Sequence, residues 1–389
     1  MLFVYSYVII ASYMLRSTSC QRRIVNGTKS IGEPRYLVYF VKAPMSERKY
    51  TGWVCGGSIV HPLYILTSAA CIEDVKHVYA IAGYTKYVKS ENLDKDNCTI
   101  RIKKKIVARS FQKDYDLKGE QLFHWSSRDI GLAKVDSPYN FRDPAYAKYC
   151  SYPPALIRIN FNSNFEEAGT QAVTFGWGHK RFFRNDGDRN DYNEELLNYA
   201  STVIIDKELC KNELIGHTDL KININLYLLC TLGPGNLDEK GQSLPNSTLF
   251  NGSQGCRNPR SDTDELNLRK TNEDECSIYS TNQFFSKLTK QVDYRRHGPC
   301  QNDHGGPLVS WIGGREYVIG IACGFQVNKN MECVGPYLYT STYSNGEFIY
   351  CMLQYSRRSR QCDVPPKSRG FQIIEENVNW GLNNFVKNK

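Results

Sequence analysis

Two short runs of the chain carry side chains capable of proton chemistry. Residues 300–307, Cys-Gln-Asn-Asp-His-Gly-Gly-Pro, place the carboxylate of Asp303 beside the imidazole of His304. Residues 128–133, Arg-Asp-Ile-Gly-Leu-Ala, open an apolar run on Asp129. An imidazole moves protons and a carboxylate can orient it, but acyl transfer also needs an attacking group such as a serine hydroxyl. Neither His304 nor Asp129 supplies a hydroxyl, so this pair cannot by itself carry that reaction.

Both runs, together with residues 66–71, resemble the catalytic segments of chymotrypsin-like serine proteases. Residues 300–309 are similar to the family's nucleophile loop, CQGDSGGPLV, but hold His304 where the nucleophile stands. Residues 66–71, Leu-Thr-Ser-Ala-Ala-Cys, resemble the LTAAHC run that carries the general base, and Ala70 stands in its place. The resemblance therefore implies a protease scaffold that lacks both the nucleophile and the base.

The third catalytic position is intact. Residues 128–133 resemble the DIALL run whose aspartate orients the base, so Asp129 keeps that position. Asn302 replaces the family's oxyanion-hole glycine, and its side chain is expected to turn or crowd the backbone N–H that meets the developing charge. Loss of the nucleophile or base costs a factor on the order of 10⁶ in turnover, about 8 kcal/mol. We therefore expect the chain not to be an enzyme.

The replacement of the base by Ala70 leaves a void beside Asp129. Because a histidine side chain is longer than serine, we hypothesise that the His304 ring swings into this void and hydrogen-bonds the buried carboxylate. The alternative is a ring that points into solvent at the mouth of the cleft. The pair offers too few ligands for a metal site, and we expect neither a metal nor a cofactor.

The resemblance covers most of the chain, and we assign residues 24–353 to one protease-like domain. Further landmarks follow in the family's order at residues 53–58, 175–178, 320–324 and 335–340. Short apolar runs separated by Gly, Pro, Asn and Asp independently predict an all-β barrel or sandwich. The family implies two six-stranded antiparallel barrels with the site in the cleft between them. The two lobes would cover about 24–150 and 151–353.

Residues 23–27, Arg-Ile-Val-Asn-Gly, resemble the family's activation site. A cut after Arg23 would free the amino group of Ile24, which in the family pairs with the aspartate before the nucleophile, here Asp303. Cleavage would then act as a switch, because the buried ammonium–carboxylate pair forms only after proteolysis. The alternative is that these residues persist because the N-terminal strand packs, whether or not the chain is cut.

The primary specificity pocket of the family is also altered. Gly298, six residues before His304, stands at its base, so a basic substrate side chain would find no counter-charge there. Cys323 replaces the usual serine of the neighbouring wall, and Gly324 follows where an aromatic residue is usual. We therefore expect the peptide-binding groove to have changed along with the catalytic residues.

The composition indicates a soluble globular protein of 389 residues, 41% hydrophobic and 23% charged. Residues 1–15 are mostly apolar and small polar residues follow, which predicts a signal peptide at 1–19 and a short propeptide at 20–23. No other stretch approaches the length of a membrane span. We expect a secreted, extracellular protein, and this compartment argues against nucleic acid as a partner.

Fourteen cysteines behind a signal sequence indicate disulfides rather than free thiols or zinc sites. The resemblance implies the pairs Cys55–Cys71, Cys210–Cys230 and Cys300–Cys333. Cys150 lies about where chymotrypsin-like zymogens tether their propeptide, and even parity favours a signal cleavage that retains Cys20. We therefore predict a Cys20–Cys150 bond. The sequence does not choose among the pairings of Cys98, Cys256, Cys276, Cys323, Cys351 and Cys362.

N-glycosylation sequons stand at Asn26, Asn97, Asn246 and Asn251. Asn246 and Asn251 fall in a loop rich in Ser, Asn and Gly, where exposure is expected. We take Asn97, Asn246 and Asn251 as the candidate glycosylation sites.

The formal net charge of +9 is spread along the chain, and its densest basic run is 101–105, Arg-Ile-Lys-Lys-Lys. Basic surface on a secreted protein suggests contact with anionic glycans or cell surfaces. The alternative is an ordinary solvated face.

Three segments depart from the family pattern, and the first is a hydrophilic loop at 180–195 whose mixed charges predict exposure. An insertion at about 231–296 opens beside the specificity pocket, and loops of this length are usually functional or disordered. The basic extension at 354–389 has apolar residues at helical spacing, which predicts a helix that docks on its own domain or binds a partner. The apolar stripe consists of Phe371, Ile374, Val378, Leu382 and Phe385.

Together these features indicate a secreted, non-catalytic serine protease homologue that acts by binding. It would serve as a regulator or cofactor of proteases, or as a recognition module, and its partner would be an extracellular protein such as a protease or a protease inhibitor. Two other interpretations stay open. One is an active endopeptidase of trypsin-like fold with unusual residues, and the other is a structural extracellular glycoprotein.

Overall fold

The computed structural model describes residues 27–46, 50–113, 115, 126, 128–180, 182–185, 187–214, 220–244, 292–354 and 373–381. Within them the chain forms fifteen strands. The first seven are β1 (Thr28–Lys29), β2 (Leu37–Lys42), β3 (Val54–His61), β4 (Tyr64–Thr67), β5 (Val78–Ala82), β6 (Lys104–Gln112) and β7 (Gly131–Val135). The others are β8 (Arg158–Ile159), β9 (Gln171–Gly176), β10 (Asn198–Ile204), β11 (Leu228–Pro234), β12 (Pro307–Ile312), β13 (Arg315–Val327), β14 (Cys333–Ser341) and β15 (Ile373–Asn377).

Short helices connect the strands. In the described residues they are α1 (Ala69–Asp74), α2 (Thr99–Ile102), α3 (Pro144–Tyr149), α4 (Lys207–Glu213), α5 (Leu220–Leu226) and α6 (Gly346–Gln354). Turns of 3-10 helix lie at Ser90–Asn92, Ser163–Glu166 and Val292–Arg295. The fold is therefore dominated by strands, as the spacing of apolar runs predicts.

Six strands close the first barrel in the order β5-β2-β3-β4-β7-β6, and β6 returns to β5. All neighbouring pairs are antiparallel. Phe40, Ile59 and Ile65 point into the barrel and are at most 1% exposed. Burying a side chain of this size contributes about 1.5–3 kcal/mol, so the barrel is held mainly by its apolar interior.

The second barrel closes in the order β9-β10-β11-β14-β13-β12, and β12 returns to β9. The short strand β1 extends this sheet beside β10, and β8 runs parallel to β13. Ile319, Tyr337 and Tyr339 are fully buried inside. The expected architecture of two six-stranded antiparallel barrels is confirmed.

Aromatic side chains join the two barrels. The rings of Tyr39 in β2 and Trp177 after β9 have centroids 4.9 Å apart. Trp177 Nε1 donates to the Thr85 carbonyl at 2.8 Å, and the Tyr39 hydroxyl donates to the Lys86 carbonyl at 3.0 Å. Because each buried ring also has its polar atom satisfied, this contact holds one barrel against the other.

The disulfides agree with the family pattern at three pairs and differ at Cys150. Bonds join Cys55 to Cys71, Cys210 to Cys230 and Cys300 to Cys333. Cys150 is bonded to Cys98 instead of Cys20, so the predicted propeptide tether is wrong. Cys98 precedes α2 and Cys150 follows α3, and the packing of these helices brings the two Cα atoms to 5.0 Å, within the range for a disulfide. Cys351 is also disulfide-bonded, and Cys323 is a buried free thiol.

The predicted C-terminal helix is wrong over Ile373–Asn377, which forms strand β15 on the edge of β6. The register runs from Ile373 opposite Gln112 to Asn377 opposite Ala108. The physical reason is the free edge of β6: β5 pairs with only Lys104 and Lys105, so the rest of β6 would expose unpaired backbone groups. The tail satisfies these groups by docking on its own domain.

Several predictions lie outside the described residues. They are the signal peptide at 1–19, the propeptide with Cys20 and Arg23, the new N-terminus at Ile24, the central part of the insertion with Asn246, Asn251, Cys256 and Cys276, and Cys362, Phe371, Leu382 and Phe385. No helix in the described part of the chain is long and apolar enough to span a bilayer.

Candidate functional site

Asp129 lies at the base of the cleft between the barrels, just before β7. Its side chain is fully buried. Oδ1 accepts a hydrogen bond from the backbone N–H of Ala70 at 2.8 Å. Ala70 belongs to the first turn of α1, which is capped by the Ser68 hydroxyl on the N–H of Cys71. The carboxylate therefore sits against a helix N-terminus, where exposed N–H groups favour a negative charge.

The loop that carries His304 can form only with glycine next to it. Gly305 has φ +79°, and a Cβ there would lie 2.4 Å from Thr67 Oγ1 and 2.7 Å from the Gly56 carbonyl. The N–H of Gly56 in turn donates to the His304 carbonyl at 2.7 Å. This close approach between the two barrels positions the residue at 304 over the cleft.

The His304 ring reaches Asp129. Its Nε2 lies 2.5 Å from Asp129 Oδ2, which confirms the hypothesis of a direct contact and excludes the solvent-pointing alternative. The imidazole is 29% exposed, whereas its carboxylate partner is fully buried. Because the Ala70 side chain is only a methyl group, space remains beside Asp129, and the His304 ring enters it from the opposite side of the cleft. The site thus retains an aspartate–histidine pair, but the histidine stands on the nucleophile's loop.

A further reactive group near Asp129 in the described part of the chain is the Cys323 thiol. Cys323 lies in β13 and is 2% exposed. Burial raises the pKa of this thiol, with a further increase from the charge on Asp129. A thiol nucleophile has to be ionised and accessible, and Cys323 is neither. No group of three or more His, Cys, Asp or Glu side chains in the described ranges is arranged to hold a metal ion.

Asn302, at the family's oxyanion-hole glycine, is a hub of hydrogen bonds. Its φ of +75° lies in the left-handed region that glycine and asparagine tolerate best. The side-chain Nδ2 lies 2.8 Å from Asn193 Oδ1, 3.0 Å from the Gly52 carbonyl and 3.1 Å from the Tyr50 hydroxyl. His179 Nε2 is also close, at 3.2 Å. The side chain therefore ties together loops from both barrels, a role that the sequence alone did not indicate.

Asp303 is buried in the position from which the family pairs its new N-terminus. Oδ1 accepts from the N–H of Gly178 at 2.7 Å, and Oδ2 accepts from the N–H of Cys300 at 3.1 Å. A Cβ at Gly176 would lie 2.0 Å from Oδ1, so the carboxylate is pressed against glycine backbone. Burial raises the pKa of Asp303 to about 7, although both N–H groups oppose the shift. Its family partner, Ile24, lies outside the described residues.

Gly298, which is predicted at the base of the specificity pocket, lies against an aromatic ring. A Cβ at Gly298 would lie 2.5 Å from the ring of Tyr337. The Tyr337 hydroxyl donates to the Arg295 carbonyl at 3.1 Å, and Arg295 forms an ion pair with Glu213 at 2.5 Å. The ion pair links the 3-10 turn before Gly298 to the end of α4, and the pocket roles of Gly298 and Cys323 stay predictions.

Two aromatic side chains that the sequence analysis did not single out pack on the disulfide that precedes the His304 loop. Phe183 and Phe325 pack against the Cys300–Cys333 disulfide, and their ring centroids lie 6.1 Å apart. The segment before Phe183 is fixed by a bridge between Phe182 and Glu332. Phe325 follows Gly324, so the aromatic residue missing from its usual place occurs one residue later. The run Gly-Phe-Gln at 324–326 places an aromatic residue next to the expected position, and this was the sequence signal that could have identified Phe325.

A comparison with models of protein families identifies the family to which this chain is similar. The family model described as Trypsin matches residues 32–243, more than half of the chain. The matched range includes Ala70 and Asp129 and ends before the loop of His304. Beyond residue 243 the similarity to the family lies in the fold, because the strands after this residue complete the closed second barrel.

Individual relatives are distant. The chain is 23% identical to coagulation factor XI of Bos taurus over 212 residues, 52% of this chain and 29% of the relative. It is 26% identical to Lectizyme of Glossina austeni over 207 residues, 53% of this chain and 64% of the relative. It is 25% identical to phenoloxidase-activating factor 2 of Galleria mellonella over 199 residues, 49% and 56% of the two chains. The chain thus spans less than two thirds of the length of each of these three relatives.

Proposed function

Because the chain belongs to the trypsin family of serine proteases, we propose that it is a non-catalytic member that acts by binding other extracellular proteins. One observation carries the proposal. The imidazole of His304 occupies the nucleophile's position and bonds the Asp129 carboxylate at 2.5 Å, while Ala70 stands in place of the base. In the described residues the nucleophile's position offers an imidazole in place of a hydroxyl, and the carboxylate–imidazole pair cannot by itself form an acyl-enzyme.

The residues predicted to form the specificity pocket support the same proposal. Gly298 offers no counter-charge for a basic substrate side chain, and Cys323 and Gly324 stand where the family has a serine and an aromatic residue. A site that holds a substrate side chain needs a cavity shaped for it, and these replacements change the residues that would shape it. The loops around the degenerate catalytic positions then form a fixed surface that recognises a protein partner.

Extracellular location is part of the proposal. The described residues contain four disulfides with both cysteines assigned, as is usual in an oxidising compartment. We propose a signal peptide at 1–19 and glycans at Asn97, Asn246 and Asn251. Asn97 is exposed beside the Cys98–Cys150 bond, as a glycan would require.

We also propose that cleavage after Arg23 acts as a switch. The buried Asp303 carboxylate has two N–H donors, and an ammonium group from Ile24 would supply the missing positive charge. The partner would be a protease or protease inhibitor. One relative is named a phenoloxidase-activating factor, and by analogy we place the chain among regulators in such cascades. Affinity purification from extracellular fluid followed by mass spectrometry would identify the partner.

The decisive experiment compares the chain with a restored variant. Both are cut after Arg23 and assayed with a panel of fluorogenic peptides and an organophosphonate probe. The restored variant carries Ala70→His, Asn302→Gly and His304→Ser. We expect no turnover and no covalent adduct for the natural chain. Turnover or labelling of the natural chain would instead support an active endopeptidase, and failure to recover any protease-related partner would favour a structural glycoprotein.

A further inference from the structure

One face of the first barrel combines cations with aromatic rings. We define the basic–aromatic face as His77, Tyr79, Lys103, Lys105 and Trp380. Lys103 Nζ lies 5.1 Å from the centre of the Tyr79 ring, and Lys105 Nζ lies 5.3 Å from the centre of the Trp380 ring. The Trp380 ring is 5.2 Å from Tyr79 and 5.3 Å from His77. These distances join the five side chains into one continuous surface.

The backbone explains why these residues share a face. Lys103 has the extended dihedral angles φ −61° and ψ 136°, and Lys105 follows two residues later at the start of β6. Residues two apart in an extended chain point the same way, about 7 Å from each other. Tyr79 in β5 stands directly opposite Lys105. The two lysines therefore project side by side, Lys103 over the Tyr79 ring and Lys105 over the neighbouring Trp380 ring.

Trp380 reaches this face from the C-terminal tail. After β15, its Nε1 donates to the Ile106 carbonyl at 2.8 Å. The Asn379 carbonyl lies 2.9 Å from His77 Nε2. The tail thus adds an aromatic platform that the barrel alone does not have, and holds it by hydrogen bonds at a defined position between the lysines and His77.

More cations continue the face towards α3. The guanidinium of Arg101 lies 4.0 Å from the centre of the Tyr149 ring, and Lys148 Nζ lies 5.1 Å from the same centre. Arg101 is in α2, two residues before Lys103. The Cys98–Cys150 disulfide ties these helices together. The positive surface therefore rests on a rigid support.

Nearby carboxylates only partly offset this charge. Asp94 forms an ion pair with Lys103, and the side chains of the pair are 74% and 17% exposed, respectively. Asp96 accepts from the N–H groups of Cys98 and Thr99 at the start of α2. Asp143 caps α3 through the N–H of Ala145. Asp96 and Asp143 are thus hydrogen-bonded at helix N-termini, and a further carboxylate belongs to Asp136, whose backbone N–H donates to the Lys105 carbonyl at 2.9 Å.

We propose that the basic–aromatic face binds a sulfated polysaccharide. Sulfate esters along an extended glycan meet cations repeated along an extended strand, and the C–H faces of sugar rings pack on tyrosine and tryptophan. A single small anion would use only one of these cations. This inference requires contact with extracellular glycans but does not depend on the absence of catalysis.

The test measures binding of the full chain to immobilised heparin in 150 mM NaCl by surface plasmon resonance. N-glycans are removed first, because Asn97 borders Arg101. The variant Lys103→Ala/Lys105→Ala is compared with Lys29→Ala/Lys329→Ala, which removes the same charge from exposed positions outside the face. We expect at least a tenfold loss of affinity for the first pair and less than a twofold loss for the second.

A third variant tests the aromatic part of the face. Trp380→Ala should weaken heparin binding several-fold, while Trp380→Phe, which retains a ring, should recover most of it. Anionic phospholipid vesicles serve as a second probe of charge. The proposal is overturned if the full chain does not bind heparin, if both lysine pairs weaken binding equally, or if vesicles bind and heparin does not.

Discussion

At the scale of the residue, the buried carboxylate of Asp129 is paired with a histidine that comes from the nucleophile's loop. Asp129 remains fully buried and bonded to the Ala70 N–H, so its charge still needs a second partner. His304 supplies that partner from the nucleophile's loop at 2.5 Å. A buried, half-satisfied carboxylate is costly, which gives His304 a structural reason to be present even without catalysis.

Removing this partner should destabilise the protein. We expect His304→Ala to lower the free energy of unfolding by about 2 kcal/mol, because the Asp129 carboxylate loses a hydrogen bond while water partly fills the exposed side of the gap. Urea unfolding followed by tryptophan fluorescence measures the change. In an Asp129→Asn background the same substitution should cost markedly less, and equal costs in both backgrounds would show that the pair does not interact.

At the scale of the element, β15 completes the edge of β6 and ties it to α1. Glu376 forms an ion pair with Arg109, whose side chain is 8% exposed. The same guanidinium donates to the Ile72 carbonyl at 2.6 Å, near the end of α1. The tail is therefore joined through one arginine to the helix that carries Ala70. This arrangement explains why a segment so late in the chain packs on the first barrel.

The ion pair should control the docking of the tail. We expect Glu376→Ala to increase amide hydrogen exchange in β15 and in the facing half of β6, since Arg109 loses its carboxylate partner. Mass spectrometry of peptic peptides measures the exchange. Glu375→Ala is the matched control, because Glu375 is an exposed neighbour on the same strand. Equal protection in the two variants would contradict a role for the ion pair.

At the scale of the whole molecule, each end of the described chain adds a strand to the barrel formed by the other half of the sequence. The early strand β1 joins the second barrel, and the late strand β15 joins the first. The barrels are thus held by strands from opposite ends of the sequence as well as by the Tyr39–Trp177 contact. In the second barrel, the Asp303 side chain lies buried against Gly176 and Gly178.

The stability of the uncut chain should therefore fall as pH rises. Burial raises the pKa of Asp303 from 3.8 to about 7, so between these values the folded state holds a proton that the unfolded state has lost. Raising the pH through this window then destabilises the fold, by on the order of 4 kcal/mol in total.

Urea unfolding of the uncut protein between pH 4 and pH 8 measures this dependence. Asp303→Asn should remove the share that comes from this carboxyl, so that the variant gains stability relative to the natural chain as the pH rises. Burial also raises the pKa of Glu166 to about 7, so a second share of the dependence should remain in both proteins. Parallel curves for the two proteins would mean that Asp303 does not titrate in this window.

Much of the fold and the identity of the altered site follow from local sequence. The loops around Ala70, Asp129 and His304 are marked by residue types at fixed spacing, and the apolar runs predict strands. Pairings between distant residues are harder, because spacing does not specify which segments meet in space. Cys150 illustrates this point: its bond to Cys98 depends on how α2 packs against α3.

The sequence by itself determined which chemical groups are absent, because a missing hydroxyl or imidazole is a property of residue identity. Only the tertiary structure decided what occupies the freed space. The His304 contact, the Asn302 hub and the docking of β15 all join residues far apart in the chain. Such contacts form because buried polar groups and strand edges require partners, and the packing of the two barrels selects which partners are within reach.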